Sequence, residues 1–161
     1  MKAAVIYHSF SGVTRGVAEK VNKALEGDLI EVKPVDSYSK LTAYTVGTYR
    51  ARKGEADKIT PETIEVSGYD IIVIGTPVWA FRPTPAINAA VKGLTGCAGK
   101  RAVIFATCGG SAKDTTKYLT DALSEKHVTV FAEFVLDKND VLKDENIERI
   151  SESVVHAGES E

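Results

Sequence analysis

The sequence predicts an α/β domain built on one open, doubly wound parallel sheet of five strands with helices on both faces. Three observations predict it. Short apolar runs rich in β-branched and aromatic residues recur along the chain, segments of helical period lie between them, and the two alternate regularly. A length of 161 residues suits one domain, at roughly 150 residues per domain. At that size the core buries roughly 70% of the surface of the unfolded chain, so neither disulfide nor structural metal is needed.

In chain order, residues 3 to 7 (AAVIY) form the first expected strand. A helix follows, with Val13, Val17, Val21, Ala24 and Leu25 on one face. Leu29 to Val32 is a shorter strand interrupted by Glu31. Pro34 to Pro61 is long for a βα connection; its expected content is a helix from about Tyr38 to Ala51 and a mobile turn around Gly54, with Arg50, Arg52, Lys53 and Lys58 in its second half. Strands at 71 to 75, 102 to 106 and 128 to 135 read, like the first, as buried on both faces. In the helices between them Ala86, Ala89, Ala90 and Leu94 share one face, as do Tyr118, Leu119, Ala122 and Leu123. A last helix, Glu145 to Val155, turns Ile147, Ile150 and Val154 inward. The domain is expected over residues 1 to 156, with 157 to 161 a frayed C-terminal tail.

Twenty Lys and Arg against 22 Asp and Glu give a formal charge of −2, which argues against a nucleic-acid binder and gives no reason to invoke a membrane surface. No run approaches the roughly 18 apolar residues of a membrane span, and the apolar stretch before His8 is too short for a signal-peptide core. Cys97 and Cys108 fit no zinc or CxxC spacing and suit a reducing compartment, so a cytoplasmic location is expected.

Ligands of doubly wound sheets bind at the carboxyl ends of the strands, where strand order reverses. Three segments there carry the candidate site. After the first strand, Ser9, Phe10, Ser11, Gly12, Val13 and Thr14 bring three hydroxyls and a glycine to a helix N-terminus, a cradle for phosphate; the alternative is a plain turn in which one Ser or Thr caps the helix. After the third, Thr76, Pro77, Val78, Trp79, Ala80 and Phe81 place the only tryptophan in a proline-stiffened loop suited to stacking on a flat heteroaromatic ring; Phe81 is equally readable as a plug closing the sheet. After the fourth, Thr107, Cys108, Gly109 and Gly110 let backbone amides approach a ligand edge. No Walker loop and no GxGxxG is present, which excludes ATP or a dinucleotide bound in the usual manner.

Together and in this order, SFSGVT, GTPVWAF and TCGG resemble the flavodoxin family, across almost the whole chain. The resemblance implies strand order 2-1-3-4-5 and a noncovalent FMN. Its phosphate would lie on Ser9, Ser11, Gly12 and Thr14, and its ring beside Trp79. Neutral donors are the expected anchors, with Arg15 and His8 solvated. The last strand has no room for the insertion of long-chain members. Flavodoxins often carry a tyrosine in the second ring loop and acidic residues around the ring. Here TCGGS has no tyrosine, and residues 76 to 82 and 107 to 111 hold Arg82 as their only charge.

Three functions follow as alternatives. One is an electron carrier between redox partner proteins, a monomer or weak dimer with no catalytic residue of its own. Another is an FMN-dependent reductase whose uncovered ring admits a small electron donor, NAD(P)H, or a quinone, with the stretch Arg50 to Lys58 meeting a phosphorylated donor. The last is a flavin-free binding or signalling module. A receiver domain would need an aspartate at the end of the third strand, where Gly75 and Thr76 stand.

Overall fold

The computed structural model describes residues 1–159. Five strands form one parallel sheet: β1 (Ala3–Tyr7), β2 (Asp28–Glu31), β3 (Ile71–Trp79), β4 (Arg101–Thr107) and β5 (Thr129–Leu136). Their spatial order is 2-1-3-4-5. Helices α1 (Val13–Leu25), α2 (Pro85–Lys92) and α3 (Thr115–Glu125) make crossovers, and with α4 (Asp144–Glu159), which follows the last strand, they cover both faces. Side chains alternate across a strand, so each run feeds two cores. Ile6, Ile72, Ile74 and Ile104 meet Ile87, Leu119 and Leu123 of α2 and α3. Val5, Ile71, Val73 and Phe105 meet Val17 and Val21 of α1 and Ile150 and Val154 of α4.

The register brings the carboxyl ends of the central strands to one level. Tyr7 pairs with Gly75, and Gly75 with Phe105. Gly75 is required there, because a Cβ would run into the Phe105 ring. The three loops singled out in the sequence therefore emerge from one edge of the sheet.

Several expectations need correction. Ala18 rather than Val13 is buried in α1, since Val13 opens the helix at the sheet edge and is 45% exposed. Tyr118 lies at the surface of α3. Leu94 falls beyond α2, where it pairs with Ile64 in a two-residue parallel ladder. β5 is an edge strand, half-exposed with Phe131 and Val135 at the surface, so it is not buried on both faces. The final helix continues through Glu159 instead of fraying at 157: Ala157 is buried, and its carbonyl accepts a hydrogen bond from Arg101. Residues 160 and 161 of the expected tail lie outside the described residues.

The long connection holds a helix over 40–52, close to the expected 38–51, and an antiparallel ladder pairs Lys33 with Thr60 and Pro34 with Ile59 at its base. Its middle, Ala43–Gly47, is a π-helical turn in which the amide of Thr48 reaches the carbonyl of Ala43. Thr45 and Thr48 hydroxyls donate back to the carbonyls of Leu41 and Tyr44, a pattern that loosens a helical turn. Gly54 sits at φ 68° in the turn that follows.

Candidate functional site

β1 delivers the chain into α1 through Gly12, whose φ of 95° strongly favours glycine. The Ser9 hydroxyl accepts from the Gly12 amide at 3.1 Å, and no side chain caps α1. The capping alternative is thus not what the fold adopts. The first amides of α1 face the sheet edge with their partial positive charge uncompensated by a cap. Beside them, the buried hydroxyls of Thr14 and Thr107 bond at 2.8 Å, which ties the first loop to the loop after β4.

The segment after the third strand is a hairpin rather than a loop. β3 runs on to Trp79 and pairs antiparallel with Arg82 and Pro83. Ala80 and Phe81 make the turn at φ 50° and 62°, left-handed conformations held here without glycine. This turn swings Phe81 outward, under the ammonium of Lys113 at 4.1 Å. Arg82 faces away too: its guanidinium lies 3.5 Å from the Tyr118 ring, beside a separate cavity of about 230 Å³.

Between the three segments lies a cavity of about 760 Å³. Phe10, Ser11, Val13 and Thr14 line it from the first segment. Pro77, Val78, Trp79 and Ala80 line it from the second, and Thr107, Cys108 and Gly109 from the third. Five expected site residues are not in its wall. Ser9 and Gly12 shape the turn behind it. Thr76 is fully buried, donating to the Pro77 carbonyl and accepting from the Thr84 amide. Phe81 points outward, and Gly110 stands clear.

Trp79 is a wall, not a free plate. Only 9% exposed, it meets the rings of His8, Phe10 and Tyr38 edge-on at 5.2 to 5.9 Å. Ala43, Gly47 and Ala51, four residues apart, seat the inserted helix on this aromatic cluster. A Cβ on Gly47 would come within 2.6 Å of the indole. Tyr38 is bound to Asp57 and Arg50, and burial with the Asp57 hydrogen bond pushes its hydroxyl up to about 12.

Seven lining residues escaped the sequence reading. The inserted helix adds Lys40, Ala43, Tyr44 and Thr48, and the segment after β5 adds Lys138, Val141 and Leu142. The spacing of Ala43, Gly47 and Ala51 was the available signal that this helix packs closely on something. Among the described residues the wall contains two lysines and no carboxylate.

His8 is not the solvated group expected, whereas Arg15 keeps its side chain 43% exposed. His8 is buried with Nδ1 2.9 Å from the Thr84 hydroxyl, and desolvation lowers its pKa to about 4. Arg15 is paired with Glu31. Arg50 is likewise engaged by Glu55 and Asp57, so it offers no free charge to a donor. Cys97 and Cys108 are unpaired; burial, with Asp137 adding to it, raises the Cys108 thiol and makes it a poor nucleophile. No cluster capable of holding a metal ion occurs among the described residues.

An uncapped helix N-terminus opening into an aromatic-walled cavity, at the carboxyl edge of a 2-1-3-4-5 sheet, defines a ligand-binding doubly wound protein. The family model described as Flavodoxin matches residues 2–145, and the chain belongs to the flavodoxin family. No curated protein sequence matches the chain. Among solved structures, a candidate flavoprotein of Bacteroides uniformis ATCC 8492 is 22% identical with a TM-score of 0.79, over 92% of this chain and 96% of its own. One from Bacteroides eggerthii DSM 20697 is 25% identical with a TM-score of 0.77, over 96% and 98%. A flavoprotein of Lactobacillus acidophilus NCFM in complex with FMN is 21% identical with a TM-score of 0.70, over 93% and 98%.

Proposed function

We propose that the protein binds one FMN noncovalently and serves as an electron-transfer protein between redox partners. The observation that carries this reading is the uncapped N-terminus of α1 opening into the cavity, where neutral donors and a helix dipole suit a terminal phosphate. The hydroxyls of Ser11 and Thr14 stand beside it, and the largely apolar wall of Pro77, Val78 and Trp79 suits a flat ring. FMN, when bound, supplies one- and two-electron redox chemistry. The protein's own residues orient the cofactor, exclude water from one side and set the local charge. Free thiols at Cys97 and Cys108 fit a cytoplasmic setting.

A reductase reading keeps one specific support. Lys40 and Lys138 are the only charged residues of the wall among the described residues, and positive charge favours accumulation of negative charge on a reduced ring. The test is the visible spectrum of the freshly purified protein, titration with FMN, riboflavin and FAD, and anaerobic mixing with NADH and NADPH. A yellow protein that prefers FMN and is reduced only slowly by either nucleotide is expected. A protein that takes up no flavin overturns the cofactor assignment, whereas rapid reduction by one nucleotide replaces the carrier by the reductase.

A further inference from the structure

The loop after β4 carries no aromatic residue, yet the cavity has an aromatic on its open side. Tyr44 lines the cavity while remaining 77% exposed. It stands on the π turn of the inserted helix, between Lys40 and Thr48, and all three reach the wall. Such turns are rare and concentrate at functional sites, because they re-aim side chains that a uniform α-helix would rotate away. The helix that presents Tyr44 is firmly seated. Gly47 lies against Trp79, and Arg50 is tied to Asp57, whose side chain is only 5% exposed.

A large aromatic left in water on the rim of a cavity walled by another aromatic leaves its ring face free for a planar ligand. We propose that Tyr44 is a ligand-contacting residue, and that the inserted helix rather than a loop of the sheet edge supplies the aromatic cover for the open face of a planar heteroaromatic ring. This rests on the reading of the cavity as a flavin site. Trp79 is the poorer probe of ring contact, since its removal also unseats the helix; Tyr44 supports nothing in the core. Tyr49, on the same helix and 59% exposed but outside the cavity wall, is the control.

Riboflavin, which lacks the phosphate, is titrated against wild type, Tyr44→Phe, Tyr44→Ala and Tyr49→Ala, with far-UV circular dichroism and Trp79 emission verifying the fold of each. Tyr44→Ala is expected to bind riboflavin about tenfold more weakly and to quench its fluorescence less. Tyr44→Phe and Tyr49→Ala are expected to stay within about twofold of wild type. Wild-type affinity in Tyr44→Ala, or an equal loss in Tyr49→Ala, overturns the role of Tyr44 while leaving the cofactor assignment standing. A wild type that takes up no flavin overturns both.

Discussion

His8 shows how burial sets a single group's behaviour. Desolvation is the main cause of its lowered pKa, and the charge of Glu31 opposes it only partly. Below pH 6.5 the unfolded chain takes a proton that the folded one refuses until about pH 4, so stability falls as pH falls through that window. The loss amounts to about 3 kcal/mol by pH 4. In His8→Asn the urea midpoint is expected to decline less over this range; an equally steep acid limb would remove His8 from the account. Thr14 offers a second test, because its hydroxyl sits buried against Thr107 beside the free amides of α1. Thr14→Val keeps the shape and removes the polar group. It is expected to weaken FMN by about 1.5 to 3 kcal/mol, the range for a hydrogen bond to a charged group, with riboflavin nearly unaffected. Equal losses for both flavins would place Thr14 in packing alone.

The inserted helix depends on one close approach. Gly47 has ordinary helical dihedrals, so alanine would favour the helix by about 1 kcal/mol if space allowed. Space does not allow it. The added Cβ would meet an indole already held by His8, Phe10 and Tyr38, and overpacking of that kind costs about 1 to 3 kcal/mol. Gly47→Ala is therefore expected to lift the helix, shift Trp79 emission to the red and weaken ring binding, while the sheet stays intact. Unchanged emission would show that the seat tolerates a methyl group. The hairpin after β3 works the same way in reverse, its left-handed Ala80 and Phe81 turning Phe81 and Arg82 away from the cavity.

For the whole molecule, charge and linkage give the tests. Among the described residues the wall carries Lys40 and Lys138 against no carboxylate, although the chain as a whole is slightly acidic. Lys40→Gln with Lys138→Gln is expected to lower the midpoint potential of bound flavin, and the difference from wild type should shrink with added salt. A potential that does not move would mean both ammonium groups are fully screened. Arg82→Ala is expected to leave it unchanged, since that guanidinium belongs to Tyr118. Ligand linkage adds a global readout: FMN at a hundredfold its dissociation constant is expected to stabilise the fold by about 2.7 kcal/mol. A thermal midpoint insensitive to FMN would argue against a site in the folded protein.

Much of this was legible in the residues alone. Apolar runs such as AAVIY and IIVIG, short and rich in β-branched residues, read as strands of a sheet covered on both faces, and the loops SFSGVT and TCGG announce their chemistry through hydroxyls and glycines. Such signals are local, set by periodicity and backbone freedom over a few residues. Which side of the sheet edge Phe81 and Arg82 take depends instead on the twist of a two-residue turn. Whether Arg50 is free depends on Asp57 folding back onto it, and Tyr44 joins the site because Gly47 lets a distant helix settle on Trp79. The seat of Gly47 on Trp79 joins segments that meet only when the sheet is assembled, so the local spacing of Ala43, Gly47 and Ala51 signals close packing without naming its partner.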